Sequence, residues 1–319
     1  MEIAPRPRKS NFDFGAAVSQ LFTTPGGAGW ALKLILSTGA VLGLCYVLGM
    51  YLIATPYLGF VENMDQLDTN PEAVLSGFGA MAPGYLLMTF GALLTLVMGE
   101  TALHCAVLRQ EDTPGIPLRF GRDELRVFGA SLGVWVFAFV AFFVIVLIGG
   151  LFGAALTTVV PELGVAIVII AYLVGTIAWP FFAVRLSPAA ALTVYNEKAH
   201  LLAGRHISKD RFWSLFLAFL AVGFGGYIVN SIISMIGMTA LIGDSSVFLA
   251  SGGELGSGSG KDIASTLREK FSNPLIVILA IIGAFIYSCA VATWLLTMAG
   301  IGTYAVKWWA DDDAASPFD

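Results

Sequence analysis

The sequence predicts an all-α integral membrane protein with six transmembrane helices, and three observations predict it. First, 57% of the 319 residues are hydrophobic and only 12% are charged, against roughly 25% charged in a soluble domain; the mean hydropathy is +0.81. A chain this apolar has too little polar surface to face water. Second, the apolar residues fall into six runs, each meeting the length of about 20 residues that a helix needs to cross a hydrocarbon core. Third, Lys and Arg collect in alternate connections. Only helices and closed barrels satisfy the backbone in lipid, and these runs are too long, and lack the alternation, for barrel strands.

In chain order, residues 1–29 read as an N-terminal segment with an amphipathic helix. Residues 30–306 read as a six-helix transmembrane domain, with helices at 30–54, 80–108, 127–160, 163–186, 212–242 and 274–306. Residues 307–319 read as an acidic tail. No cleavable leader is expected, because the first part of the chain lacks a continuous apolar stretch followed by small residues. Two connections are long. One, around 60–79, is acidic. The other, around 244–273, contains a Gly/Ser stretch of linker composition, then Asp262 as a helix cap before Ile263, Leu267 and Phe271 on one face. Ser272-Asn273-Pro274 reads as the start of the sixth helix.

Orientation follows from the basic residues. Arg6, Arg8 and Lys9 precede the first helix. Arg109, Arg119, Arg122 and Arg126 follow the second. Arg185, Lys198, Arg205, Lys209 and Arg211 follow the fourth, and Lys307 follows the sixth. With six crossings these segments share one side, which the positive-inside rule assigns to the cytoplasm together with both termini. The other side carries Glu62, Asp65, Asp68, Glu72 and Glu162, and its only cations are Lys261, Arg268 and Lys270.

Three short cytoplasmic amphipathic lead-in helices are predicted. Phe14, Ala17, Val18, Leu21 and Phe22 make one apolar stripe. Arg119, Arg122 and Arg126 share a face before the third span. Ser187-Pro188 reads as cap and first residue of a helix whose Leu192, Tyr195, Ala199 and Leu202 share a face and which Gly204 ends. Lead-in, span, outer loop, span is thus read three times, as a three-hairpin pseudo-repeat would give; any six-helix protein with amphipathic inner connections gives it too.

Small residues let helices approach in lipid. Gly39/Gly43, Gly129/Gly133 and Gly149/Gly153 are such pairs, and Ala280, Ala284, Ser288 and Ala292 form a stripe. They suit packing within one chain or against a second copy. Trp179-Pro180 should kink the fourth span.

Glu100, His104, Lys33 and Asn230 form the candidate intramembrane polar site. Glu100 and His104 lie one turn apart in the cytoplasmic third of the second span. A carboxylate there must be protonated, paired or wet. The pair reads either as a proton or cation site in a transport path, or as a structural ion pair with Lys33 or Arg185. Asn230, with Ser231 and Ser234, either lines a polar cavity or bonds between helices. Arg119, Arg122 and Arg126 are candidate lipid-headgroup contacts, each basic residue near an anionic surface being worth about 1 kcal/mol; anchoring the topology is the alternative. Asp65, Asp68, Asn70 and Glu72 lack calcium-loop spacing, and His200 and His206 are not on one helix face. Cys45, Cys105 and Cys289 sit in apolar runs without metal or disulfide spacing. No metal, cofactor, nucleic acid or catalytic residue is expected: HExxH, GxSxG and Walker A sequences are absent.

Arg185-Leu-Ser-Pro-Ala-Ala-Ala-Leu-Thr-Val-Tyr-Asn-Glu, Ser208-Lys-Asp-Arg-Phe-Trp-Ser-Leu-Phe216 and Phe120-Gly-Arg-Asp-Glu-Leu-Arg126 resemble bacterial six-helix inner-membrane proteins of the YciC-like type. They are also similar to the membrane domain of some glycerophosphodiester phosphodiesterases. The resemblance covers roughly residues 117–220. No phosphodiesterase barrel follows the sixth span, so no catalytic residue carries over. The resemblance implies a multi-pass protein of the bacterial inner membrane with a scaffolding or lipid-related role. The expected function is a non-enzymatic scaffold or accessory factor for lipids or membrane proteins, its partners being membrane lipids, another membrane protein or itself. The alternative is a small transporter or channel using Glu100 and His104.

Overall fold

In the computed structural model the described residues are 12–62, 71–111, 115–198, 202–209, 211–242, 264–265, 268–269 and 271–314, all in helices and their connections, with no strand among them. Six helical spans are long and apolar enough to cross a membrane. The chain is a polytopic all-α membrane protein. The helices are α1 (Phe14–Ser19), α2 (Gly27–Glu62), α3 (Pro71–Leu108), α4 (Arg122–Thr157), α5 (Pro161–Leu186), α6 (Pro188–Asn196), α7 (Gly204–Ser208), α8 (Phe212–Ile242) and α9 (Pro274–Ala314).

Local chemistry fixes several of their ends. The Asp13 carboxylate accepts the Ala16 N–H at 3.1 Å and caps α1, satisfying one of the donors a helix start leaves open. Asn273 does the same for α9, accepting the Leu275 N–H at 3.0 Å, as the Ser-Asn-Pro signal predicts. Asp123 and Glu124 occupy the first turn of α4, where carboxylates complement the helix dipole. Helix α3 ends with the Cys105 carbonyl accepting both the Arg109 and Glu111 N–H groups. Between them Gln110 takes the left-handed conformation, φ +52°.

Several boundaries differ from the sequence reading. Helix α2 extends to Glu62, and α3 starts at Pro71 rather than near 80. Helix α9 passes Val306 and continues to Ala314, so the start of the expected tail is helical. A helix does not have to stop where its residues turn polar, once it has left the lipid. Of the lead-ins, α1 and α6 are separate short helices. The second is not: residues 116–120 are irregular, and Arg122 and Arg126 lie in the first turns of α4 itself. Ser187 takes the N-cap position of α6 with Pro188 opening the helix, as read, but its hydroxyl makes no cap bond and donates back to the Val184 carbonyl at 2.8 Å. Helix α6 ends at Asn196, with Glu197 left-handed at φ +55°, and Gly204 opens α7 instead of ending α6. Helix α5 continues through Pro180. Asp65, Asp68, Asn70, Ala199, His200, Lys261, Asp262, Ile263 and Leu267 lie outside the described residues.

The chain divides into two compact units. One comprises residues 1–31, 100–223 and 296–319. Its core gathers Val184, Ala191, Leu192, Ile207, Phe212, Leu215, Ile301 and Val306. Here α4 and α5 pack along each other through small residues: a Cβ at Gly153 would lie 2.7 Å from the Gly164 carbonyl oxygen, and one at Gly149 would enter the Ala171 methyl. Gly129 has open space at its Cβ position, so the Gly129/Gly133 pair does not bring backbones together at that point.

The other unit comprises residues 32–99 and 224–295. A Cβ at Gly39 would meet the Cys289 sulfur at 2.5 Å and its Cα at 2.9 Å. Gly49 and Gly84 approach each other's carbonyls, and Gly226 underlies the Trp294 ring. Ser288 and Ala292 of the predicted stripe are fully buried. The small residues therefore set helix spacing within the chain.

Candidate functional site

The polar residues of the first unit form two adjoining groups on α3 and the connection that follows it. In the upper group, His104 is buried, with 1% of its side chain exposed, and its Nε2 lies 3.4 Å from Glu100 Oε1. Their spacing of one turn puts both on the same helix face. Ser131 of α4 donates to Glu100 Oε2 at 3.3 Å. On the far side of the imidazole, Nδ1 is 2.8 Å from Thr303 Oγ1 of α9. The pair thus bridges three long helices.

Thr303 governs the proton on His104. Its hydroxyl is also 2.9 Å from the Ala299 carbonyl, and it has one hydrogen to give. When that hydrogen goes to Ala299, Nδ1 must carry the imidazole proton and donate to Thr303. When it goes to Nδ1, the imidazole proton sits on Nε2 and faces Glu100. The direction of one hydroxyl is therefore linked to which tautomer is present. Nε2 has the Glu100 carboxylate nearby but no aligned hydrogen bond.

The lower group is organised by Arg109, 19% exposed. Its Nη1 donates to Asp123 Oδ2 at 2.6 Å. Its Nε and Nη2 donate to the Val194 carbonyl at 3.1 and 2.6 Å. Glu111 and Glu197 lie at 3.6 and 3.7 Å. One guanidinium thereby ties the end of α3 to the start of α4 and to the last turn of α6, whose exposed carbonyls attract a cation. Burial opposes the Arg109 charge, but the hydrogen bond to Asp123 and that carboxylate's charge outweigh it, so Arg109 titrates above the usual guanidinium range.

A cavity of about 440 Å³ opens beside this clamp. Arg109, Arg119, Arg122 and Arg126 line it, and so do Glu111, Asp123, Glu124 and Glu197. Four cations face four carboxylates, so its lining has no net formal charge. Arg126 is committed to Asp123 at 3.0 Å; Arg119 and Arg122 are exposed.

Comparison with protein-family models, curated proteins and solved structures found no match.

The remaining sequence candidates do not join this cluster. Arg185 faces the Phe181 and Phe212 rings at 5.1 and 5.6 Å; the ion partner of Glu100 is His104. Lys33 is exposed and belongs to the other unit. So does Asn230, which is buried and donates to the Gly226 carbonyl of its own helix at 2.8 Å. Ser231 and Ser234 are exposed, so the three do not line one polar cavity. Glu72 and His206 are exposed as well. Among the described residues no group of three His, Cys, Asp or Glu side chains could hold a metal.

Sequence reasoning missed Ser131, Thr303, Asp123 and the Val194 carbonyl as partners. The one signal was that Ser131 and Thr303 interrupt apolar runs.

Proposed function

We propose that the protein is a non-enzymatic scaffold or accessory factor embedded in the bacterial inner membrane, presenting a helical hairpin to lipids or to another membrane protein. The α4–α5 hairpin carries the reading. In the most apolar window of each span, 6% of α4 and 11% of the span containing α5 is buried within the chain, against 17% in α8 and in α9, 33% in α3 and 39% in α2. Trp135, Phe139, Phe143, Phe152 and Ile177 are exposed along it. Such a surface is solvated by acyl chains or by other helices, and association in lipid rests on shape and packing rather than apolar burial. The contacts of Glu100 and Arg109 support the same reading, since they tie helices together.

The positive-inside rule orients the basic connections and both termini toward the cytoplasm. The likeness of residues 117–220 to YciC-like proteins favours a bacterial envelope setting.

Detergent-free extraction of protein carrying a photocrosslinker at Phe139 or Phe152, followed by mass spectrometry, tests the proposal. A stoichiometric membrane protein or a reproducible lipid adduct is expected. Neither adduct, together with ion or solute flux in liposomes that Glu100→Gln abolishes, sinks it. That second outcome belongs to the alternative, a small transporter or channel, which the Glu100–His104–Thr303 chain of polar contacts favours as a proton-handling element.

A further inference from the structure

We infer that a second cavity, distinct from the Arg109 clamp, binds the phosphate of an anionic phospholipid headgroup. It measures about 370 Å³ and lies where α5 ends and α8 begins, within the first unit. Its polar lining is Arg185, Lys209, Arg211 and Ser214; the rest is Phe181, Phe212 and Trp213. Three cations meet here with no carboxylate among the described lining residues, unlike the balanced cavity beside Arg109. None of the three makes an ion pair among the described residues, and the Nε groups of Arg185 and Arg211 are buried without a hydrogen-bond acceptor. A phosphate supplies several acceptor oxygens with charge complementary to the three cations.

The position specifies the source of that phosphate. Arg185 is in the last turn of one apolar span and Arg211 directly precedes another, which puts both guanidiniums at headgroup level. Trp213 is 72% exposed beside them, as expected of an indole in the interfacial belt. The rings hold the cations in place: Arg185 lies over Phe181 and Phe212, and Arg211 lies 5.2 Å above Trp308. A lipid can seat its phosphate here while its acyl chains run along the exposed faces of α5 and α8. The site is independent of the scaffold proposal, since a transporter could carry it equally.

The test is binding of phosphatidylglycerol to the full-length protein in phosphatidylcholine nanodiscs, with inorganic phosphate as the competing source. Each removed cation should weaken phosphatidylglycerol binding about fivefold, the ~1 kcal/mol per basic residue at an anionic surface converted to affinity. Arg185→Gln with Arg211→Gln should then weaken it about 25-fold. Because both arginines also stack on rings, their loss can disturb the fold. Lys209 is exposed, so Lys209→Gln spares the packing and must still give the fivefold loss. Unchanged affinity in that variant overturns the assignment. So does protection from unfolding by inorganic phosphate without protection by phosphatidylglycerol.

Discussion

Replacing Arg109 with Gln should destabilise the protein by about 3 kcal/mol, the sum of two contributions. Two N–H groups converge on the single Val194 carbonyl; together they count as one hydrogen bond from a charged donor, worth about 1.5–3 kcal/mol. The bond to Asp123 is short at 2.6 Å, but that carboxylate is a quarter exposed and keeps Arg126, so about 1 kcal/mol is appropriate. Glu111 and Glu197, at longer range and more exposed, add little. The assay is reversible denaturant unfolding in micelles. Arg109→Lys should recover only the attraction to Asp123, because an ammonium lacks the fork that serves Val194. The pH dependence is fixed in sign. A cation whose folded-state pKa is raised contributes stability fully present below its unfolded value, lost only as pH rises through the folded one. For a guanidinium both lie far above neutrality. The deficit should therefore be flat between about pH 6 and about pH 9. A loss under about 1 kcal/mol, or one that varies across that window, would refute the clamp.

Gly39→Ala should cost about 1–3 kcal/mol, because the new methyl meets the Cys289 backbone, which cannot turn aside. Gly129→Ala should instead stabilise by about 0.5–1 kcal/mol, its site being open and alanine the better helix former; thermal unfolding separates the two. Thr303→Val keeps the shape but leaves buried His104 Nδ1 without a partner, costing about 1–3 kcal/mol in the same assay. Gln110→Gly should raise the melting temperature through a gain of about 0.5–1 kcal/mol, since left-handed φ penalises a side chain.

The six spans were legible because hydropathy summed over a helix overwhelms local detail. Their ends were less so: α3 reaches back to Pro71, and α9 runs on to Ala314, through residues whose polarity says they have left lipid but not that they have left the helix. The arginine face of Arg119, Arg122 and Arg126 suggested a separate helix, yet only Arg122 and Arg126 are helical, in the first turns of α4, and Arg119 lies in the irregular segment before it. The Glu100–His104 pair was visible as one-turn spacing. Its partners were not, because a threonine in an apolar helix ordinarily bonds its own preceding turn, and Thr303 does that as well as meeting His104. Nothing marked Val194, whose contribution is a backbone oxygen. Lys209 and Arg211 were readable only as topology signals and Arg185 as that or a partner for Glu100; their convergence on one cavity is tertiary.

The close approach of Gly39 to Cys289 joins the first long helix to the last. During synthesis α2 enters the bilayer long before α9 exists, so its narrow glycine face must wait beside lipid until residues 274–314 have been made. A chain broken before Pro274 keeps that face unmatched for good. Such a product would stay recognisable, to any factor that senses uncovered grooves, as unfinished.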